Sequence, residues 1–92
     1  MIEVRASAVR FFSPMDEAAF FEWIKKLPSV SDVYGEIRDI VLCISEEGIS
    51  KTDFHELIAI FRRYNIELRS LRVLVNETNE GWVKSWEPEI FY

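Results

Sequence analysis

Five consecutive apolar residues, Ile40-Val41-Leu42-Cys43-Ile44, lie near the middle of this 92-residue chain. A strand with one solvent-facing side alternates apolar and polar positions, whereas an unbroken apolar run is typical of a strand that is covered on both faces. The run therefore predicts a central strand over residues 37–45. The turn that follows it, Glu46-Glu47-Gly48, separates this strand from the next element.

The pattern before this strand predicts an amphipathic helix. Ser13 is suited to the N-cap and Pro14 to the first helical position, and acidic residues in the first turn suit the helix dipole. Pro28 is expected to end the helix. Its apolar stripe consists of Phe20, Trp23, Ile24 and Leu27.

The pattern after the central strand predicts a second helix. Ser50 is the expected N-cap, Asp53 follows three residues later, and Ile49 and Phe54 are spaced for a hydrophobic staple. Asn65 is suited to a left-handed C-terminal cap. The buried stripe is expected to contain Phe54, Leu57, Ile58 and Phe61.

Four further segments are predicted to be strands. Residues 2–12 alternate as in a half-buried strand, and the alternation slips near residues 8–9, where we expect a bulge or bend. Residues 30–34 predict a short strand, residues 71–75 another, and residues 82–86 the returning arm of a hairpin. The fold class is therefore α+β: a single domain, residues 1–92, forming a two-layer sandwich with a βαββαβ-like sheet, two helices on one face and a C-terminal hairpin. If residues 30–34 are not a strand, a βαβαβ arrangement with a parallel core is the alternative.

Charge and composition narrow the class of function. The formal net charge is −5, and residues 30–56 hold seven acids and two bases. Such a chain repels nucleic acid and anionic lipid and attracts a basic partner. Cys43 is the single cysteine, so no intrachain disulfide forms, and no stretch approaches the roughly 20 apolar residues that cross a bilayer. We expect a soluble, cytoplasmic protein that binds neither nucleic acid nor membrane.

The residues that usually carry catalysis or hold a metal are scarce. His55 is the only histidine, and we interpret it as an exposed residue in the first turn of the second helix. One histidine and one cysteine do not make a zinc site. The acidic groups do not have the spacing of a calcium loop. We therefore expect no enzyme activity, no cofactor and no metal.

Recognition of another protein remains, because two segments combine acids and aromatic residues. Aromatic anchors inside a charged rim are typical of protein interfaces. The first segment is acidic and contains Asp32, Glu36, Asp39, Glu46 and Glu47. The second is the acidic and aromatic tail, which contains Trp82, Trp86, Glu87, Glu89, Phe91 and Tyr92.

Three stretches resemble small bacterial immunity proteins that are encoded beside polymorphic or contact-dependent toxins. They are Phe20-Phe21-Glu22-Trp23-Ile24-Lys25-Lys26-Leu27, the segment from Ile49 to Tyr64, and the tail Trp86-Glu87-Pro88-Glu89-Ile90-Phe91-Tyr92. The resemblance implies a protein that binds and neutralises a cognate toxin by blocking its active cleft. A basic nuclease is one expected target, since an acidic inhibitor would be steered to its phosphate sites. The acids and tail aromatics would then face the toxin, and the protein would be a monomer or a weak homodimer.

Two other classes of function stay open at this point. A regulatory or small-ligand-binding domain of ferredoxin-like shape would act as a homodimer through its sheet. An enzyme with a carboxylate site would need acids of raised pKa in a pocket.

Overall fold

The computed structural model describes residues 2–91, which form an α+β domain around one three-stranded sheet. Strand β1 is Ile2–Ser7, β2 is Val30–Glu36 and β3 is Asp39–Ile44. The order is β1-β3-β2, and both pairings are antiparallel. The predicted central strand is thus β3. Residues 30–34 do belong to a strand, so the parallel alternative is excluded.

The two predicted helices form where their capping signals lie. Helix α1 is Pro14–Lys25, and the Ser13 hydroxyl accepts the backbone N–H of Asp16. Helix α2 is Lys51–Arg63, and the Ser50 hydroxyl accepts the N–H of Asp53. These hydrogen bonds satisfy donors that the first turn of a helix leaves unpaired. Within residues 2–91, no helix is long and apolar enough to cross a membrane.

The predicted strand at residues 71–75 is wrong. The chain there forms a 3-10 helix, Leu68–Leu74. A 3-10 helix has three residues per turn, so side chains three apart lie on one side. Leu68, Leu71 and Leu74 have this spacing and all three are buried, so helical periodicity outweighs the local preference for a strand.

The predicted C-terminal hairpin is also wrong. Residues 80–86 form helix α3, Glu80–Trp86, and a second 3-10 helix, Pro88–Ile90, follows. Trp82, Lys84 and Trp86 follow one another at intervals of two residues, as on one face of a strand. Trp82 and Trp86 are also four residues apart, so they share one face of a helix as well. The side-chain oxygen of Asn76 accepts the N–H groups of Thr78 and Asn79, and this turn starts the helix.

The first strand is shorter than predicted, because the chain leaves the sheet after Ser7. The backbone of Ala8 has φ +53°, which ends the extended conformation at the position where the sequence predicts a bulge or bend. Its N–H donates to the carbonyl oxygen of Arg38 at 3.0 Å. The segment of residues 8–12 therefore lies beside the β2–β3 turn and does not extend the strand.

All helices lie against one face of the sheet, which we call the inner face. The core there includes Val4, Leu42 and Ile44 from the strands together with Phe20 and Phe61 from the helices. Val41 and Cys43 point the other way and do not belong to this core cluster, although they are also buried. The opposite face, which we call the outer face, carries no helix among the described residues.

Candidate functional site: the outer face of the sheet

Strand alternation and register determine which side chains share the outer face. Cys43 lies between Glu3 and Asp32, Val41 between Arg5 and Tyr34, and Asp39 between Ser7 and Glu36. Directly opposed residues have Cβ atoms about 4.5–5.5 Å apart, so each row forms a contact across three strands. The outer face thus has an apolar centre line, Val41 and Cys43, with mainly polar side chains on both sides.

Four carboxylates and one guanidinium group give this face its charge. The guanidinium of Arg5 lies 3.5 Å from Asp39, 3.6 Å from Glu36 and 3.8 Å from Glu3. Glu36 is the largest cause of the raised pKa of Arg5, and burial opposes it. These ion pairs are exposed and each contributes little to stability. Counting Asp32, four negative charges and one positive charge leave the face at −3.

The centre line is buried by neighbouring side chains and not by a second layer. Burial raises the pKa of the Cys43 thiol, and the nearby carboxylates of Glu3 and Asp32 raise it further. Burial also raises the pKa of the Tyr34 phenol, and Glu3 adds to this effect. Both groups therefore stay neutral at physiological pH. The prediction that β3 is the central strand is confirmed, but no helix covers its outer side within residues 2–91, so Val41 and Cys43 are buried only by neighbouring side chains of the sheet.

The β2–β3 hairpin ends in an unusual residue. Its two-residue loop is Ile37-Arg38, and Ile37 has φ +56° and is fully exposed, at 101% of its reference accessibility. Two-residue hairpin loops need a positive φ at this position, where Gly, Asn or Asp is usual. A β-branched residue there is a clear outlier. Ile37 carries both a backbone cost and an exposed apolar side chain.

The five predicted acids lie along this region. Asp32, Glu36 and Asp39 project on the outer face, the last two beside the hairpin turn. Glu46 and Glu47 follow the other end of β3 and are exposed in the turn before α2. The structure thus distributes the acidic segment along β3 from one end of the strand to the other.

The predicted tail aromatics lie on the opposite side of the sheet, against α2. The Trp82 ring packs edge-on against buried Phe54, with centroids 5.4 Å apart, and lies 4.6 Å from the Trp86 ring. The Nζ of Lys51 is 5.7 Å from one ring centroid and 5.1 Å from the other. His55 is exposed, as predicted, with its ring centroid 3.4 Å from that of Trp86. Both tryptophans are half-buried on their own domain.

The tail acids are engaged in the same way. Glu87 pairs with Arg62 of α2, and Glu89 lies 3.7 Å from the same guanidinium group. The hydrogen bond with Glu87 is the main reason that the pKa of Arg62 is raised. Phe91 is half-buried against the core, with Lys84 5.4 Å from its ring centroid. Tyr92, the last predicted contact residue, lies outside the described residues.

The structure therefore separates the two groups that the sequence analysis joined. It also adds side chains to the acidic group that the sequence analysis did not single out: Glu3, Arg5, Tyr34 and Ile37. The alternation of Glu3, Arg5 and Ser7 in the first strand identifies them as one face, but not which partner strand that face would join. Only the register of β1 and β2 on β3 brings Glu3 and Asp32 to either side of Cys43.

No group of three or more His, Cys, Asp or Glu side chains within residues 2–91 is arranged to hold a metal ion. No protein-family model matches the chain, and no curated protein or solved structure matches it either.

Proposed function

We propose that this domain acts by binding another protein through the outer face of its sheet and the adjoining hairpin tip. The observation that carries the proposal is Ile37. An apolar side chain that is fully exposed, on a backbone conformation unfavourable for a β-branched residue, has no stabilising role in the isolated domain. A partner that buries Ile37 would give this residue a role.

The surroundings of Ile37 suit such a contact. Tyr34 is partly exposed beside the apolar centre line, and Glu36 and Asp39 lie on either side of the hairpin turn. Apolar anchors inside a charged rim are typical of protein interfaces, where tyrosine is often a hot spot. The net charge of the face favours a partner with a basic surface, since opposite potentials steer association.

We propose further that the partner is a toxin, as the resemblance to immunity proteins implies, and that this domain neutralises it by covering its active cleft. A basic nuclease would meet the acidic face with its phosphate-binding groups. In this proposal the domain acts in the cytoplasm as a monomer or weak homodimer. The tail residues, being packed on α2, would contribute through stability and not through direct contact.

The experiment is co-expression with the product of each gene that neighbours this one, followed by growth measurement and by calorimetric titration of each purified pair. We expect the wild-type chain to restore growth and to bind one of these products. We expect the double variant Glu36→Lys, Asp39→Lys to lose at least tenfold in affinity, because it places like charges against a basic surface. Affinity should also fall as salt is raised.

The control is Glu22→Lys, which reverses one exposed charge on α1, away from the outer face, and it is compared with Glu36→Lys alone so that both variants change the net charge equally. It should bind as the wild type does. Equal loss in the control and in the outer-face variant would contradict the proposed surface. Failure of every neighbouring gene product to bind would contradict the toxin, and a stable homodimer by light scattering would favour the ferredoxin-like alternative.

A further inference from the structure

A second region with an unusual arrangement lies where the segment after β1 meets the C-terminal end of α2. A cavity of about 530 Å³ opens there, lined by Ala8, Arg10, Phe12, Asp16, Arg63, Tyr64 and Asn65. Ligand sites in proteins commonly have volumes of about 300–1,000 Å³. None of these lining residues belongs to the outer face of the sheet, so this region is distinct from the proposed protein-binding surface.

Two arginines give the cavity its charge. Arg10 and Arg63 are both exposed, and neither forms an ion pair with a carboxylate within residues 2–91. Arg5, Arg62 and Arg69 do form such pairs, with three acids, with Glu87 and Glu89, and with Glu67, whereas Arg38 and Arg72 form none within the described residues but do not line this cavity. Two guanidinium groups at one cavity, neither paired with a carboxylate of the described residues, are suited to a phosphate or carboxylate ligand. They would bind it by charge-assisted hydrogen bonds.

The opposing negative groups at the cavity are already engaged. Asp16 lines it but accepts the backbone N–H of Phe12 at 3.0 Å. Three of the last four carbonyl groups of α2 accept hydrogen bonds: Ile60 from Tyr64 at 3.0 Å, Phe61 from Ile66 at 2.8 Å and Arg62 from Asn65 at 3.3 Å. Asp16 keeps its negative charge, so two arginines and one carboxylate leave the cavity with a net charge of +1.

Two aromatic rings line the same cavity. Phe12 is 87% exposed, which is unusual for a phenylalanine, and lies next to the N-cap of α1. Tyr64 is half-buried; burial raises the pKa of its phenol, and the charge of Asp16 and a hydrogen bond to it raise this pKa further, so the phenol stays neutral. Aromatic side chains offer flat surfaces on which a planar ring stacks, and arginine planes do the same.

The backbone at this cavity is also unusual. Ala8 and Asn65 both have positive φ values, +53° and +56°. Asn65 has a structural reason, because it is the left-handed residue that ends α2. Ala8 directly follows β1 and turns the chain towards the cavity, although its side chain does not favour this conformation.

We propose that this cavity binds a small anionic ligand in which a phosphate or carboxylate is attached to a planar ring. Arg10 and Arg63 would hold the anionic group, and Phe12 and Tyr64 would contact the ring. This proposal does not depend on the proposed partner protein, because the cavity and the outer face are formed by different residues. It can therefore be tested on the isolated chain.

The test is isothermal titration calorimetry of the whole chain with two ring-bearing anions, adenosine 5′-monophosphate and phenylacetate. Adenosine supplies a ring without the anion, and inorganic phosphate supplies the anion without a ring. We expect one-site saturable binding of at least one ring-bearing anion, with adenosine and phosphate at least tenfold weaker. Which of the two anions binds distinguishes a phosphate ligand from a carboxylate ligand.

Variants locate the binding. Arg10→Gln and Arg63→Gln should each weaken binding at least fivefold, and amide chemical shifts should change at Ala8, Phe12 and Asn65. Arg72→Gln is the matched control, because Arg72 is exposed on the first 3-10 helix, outside the residues that line the cavity, and it should bind normally. No saturable binding of either ring-bearing anion at millimolar concentration would overturn the proposal. Binding that survives in the double variant Arg10→Gln, Arg63→Gln would also overturn it, as would inorganic phosphate binding as tightly as the ring-bearing anions.

Discussion

The outer face of the sheet and the C-terminal tail have similar compositions and opposite surroundings. Both combine carboxylates with aromatic or apolar side chains. In the tail these groups pack on the domain itself: Ile90 is fully buried in the core, and at α2 Trp82 packs on Phe54 and Glu87 pairs with Arg62. On the outer face the same kinds of group remain accessible around a thin apolar centre, with Ile37 fully exposed at its end.

The comparison of the tail with the outer face shows that composition alone does not distinguish an accessible surface from one that packs within the domain. An acidic and aromatic segment stabilises its own domain when it packs against a helix of that domain, as the tail packs against α2. It stays available for a partner when no element of the chain covers it. The following substitutions test whether the tail is structural and the outer face is not.

The largest expected effect comes from an isoleucine pair. Ile90→Ala should lower the free energy of unfolding by about 2–5 kcal/mol, the cost of a cavity at a fully buried position. Ile37→Ala should lower it by less than about 0.5 kcal/mol, because no buried contact is lost at this exposed site. Urea denaturation followed by tryptophan fluorescence measures both. Similar losses in the two variants would contradict the contrast between the regions.

An aromatic pair gives the next largest effect. Trp82→Ala should lower the free energy of unfolding by about 2–3 kcal/mol, less than a fully buried tryptophan would lose, because the ring is only half-buried against Phe54. Tyr34→Ala on the outer face should cost less than about 1 kcal/mol. Guanidinium denaturation followed by far-ultraviolet circular dichroism, which does not depend on the removed tryptophan, measures both. A greater loss for Tyr34→Ala would reverse the assignment of the two regions.

A stabilising substitution tests whether the backbone conformation of Ile37 lowers the stability of the domain. Ile37→Asn should raise the free energy of unfolding by about 1 kcal/mol, because asparagine tolerates the left-handed backbone that a β-branched residue does not. The same variant should weaken partner binding. Ile37→Val retains the β-branch and should give no gain in thermal or urea denaturation. Stabilisation by the valine variant would show that backbone conformation is not the cause.

The smallest expected effect is the part of the pH dependence of stability that comes from Cys43 on the outer face. Cys43 has a pKa raised above its ordinary value of 9.0, so the folded state keeps the thiol proton at a pH where the unfolded state has lost it. Below pH 9 both states are protonated and nothing changes. As pH rises above 9, the unfolded state binds fewer protons, so the stability falls.

Cys43→Val should therefore make the fall in stability between pH 9 and pH 10 less steep, and urea midpoints at several pH values measure it. Arg62→Gln in α2, which removes the ion pair with Glu87 of the tail, is the control. The pKa of Arg62 is also raised, so its pairing with Glu87 persists throughout this range and its removal should shift all midpoints equally. An unchanged slope in Cys43→Val would contradict the burial of the thiol proton on this face.

Several elements were predictable because their signals are local. Ser13 with Pro14 marks the start of α1, and Ser50 marks the start of α2, since a capping side chain bonds to a backbone group only three residues away. The left-handed conformation of Asn65 was predictable for the same reason. The apolar run of residues 40–44 identified the central strand, because such a run is stable only when neighbours cover it on both faces.

The errors fall where one pattern fits two structures. Leucines at 68, 71 and 74 match a 3-10 helix, yet residues 71–75 also have the composition of a strand. Trp82 and Trp86 lie on one face of a helix and also on one face of a strand. The local free energies of the two structures are close in such segments, and packing against the rest of the domain decides between them.

The chain's own residues determined its acidic charge, its two capped helices and its central strand, since each depends on composition or on contacts within a few positions. Tertiary packing decided that the tail closes the domain on α2 while Ile37 and its acidic neighbours stay outside. It also brought Arg10 and Arg63 together at one cavity. These outcomes depend on distances between residues far apart in the chain, which are set only when the sheet register and the helix positions are established together.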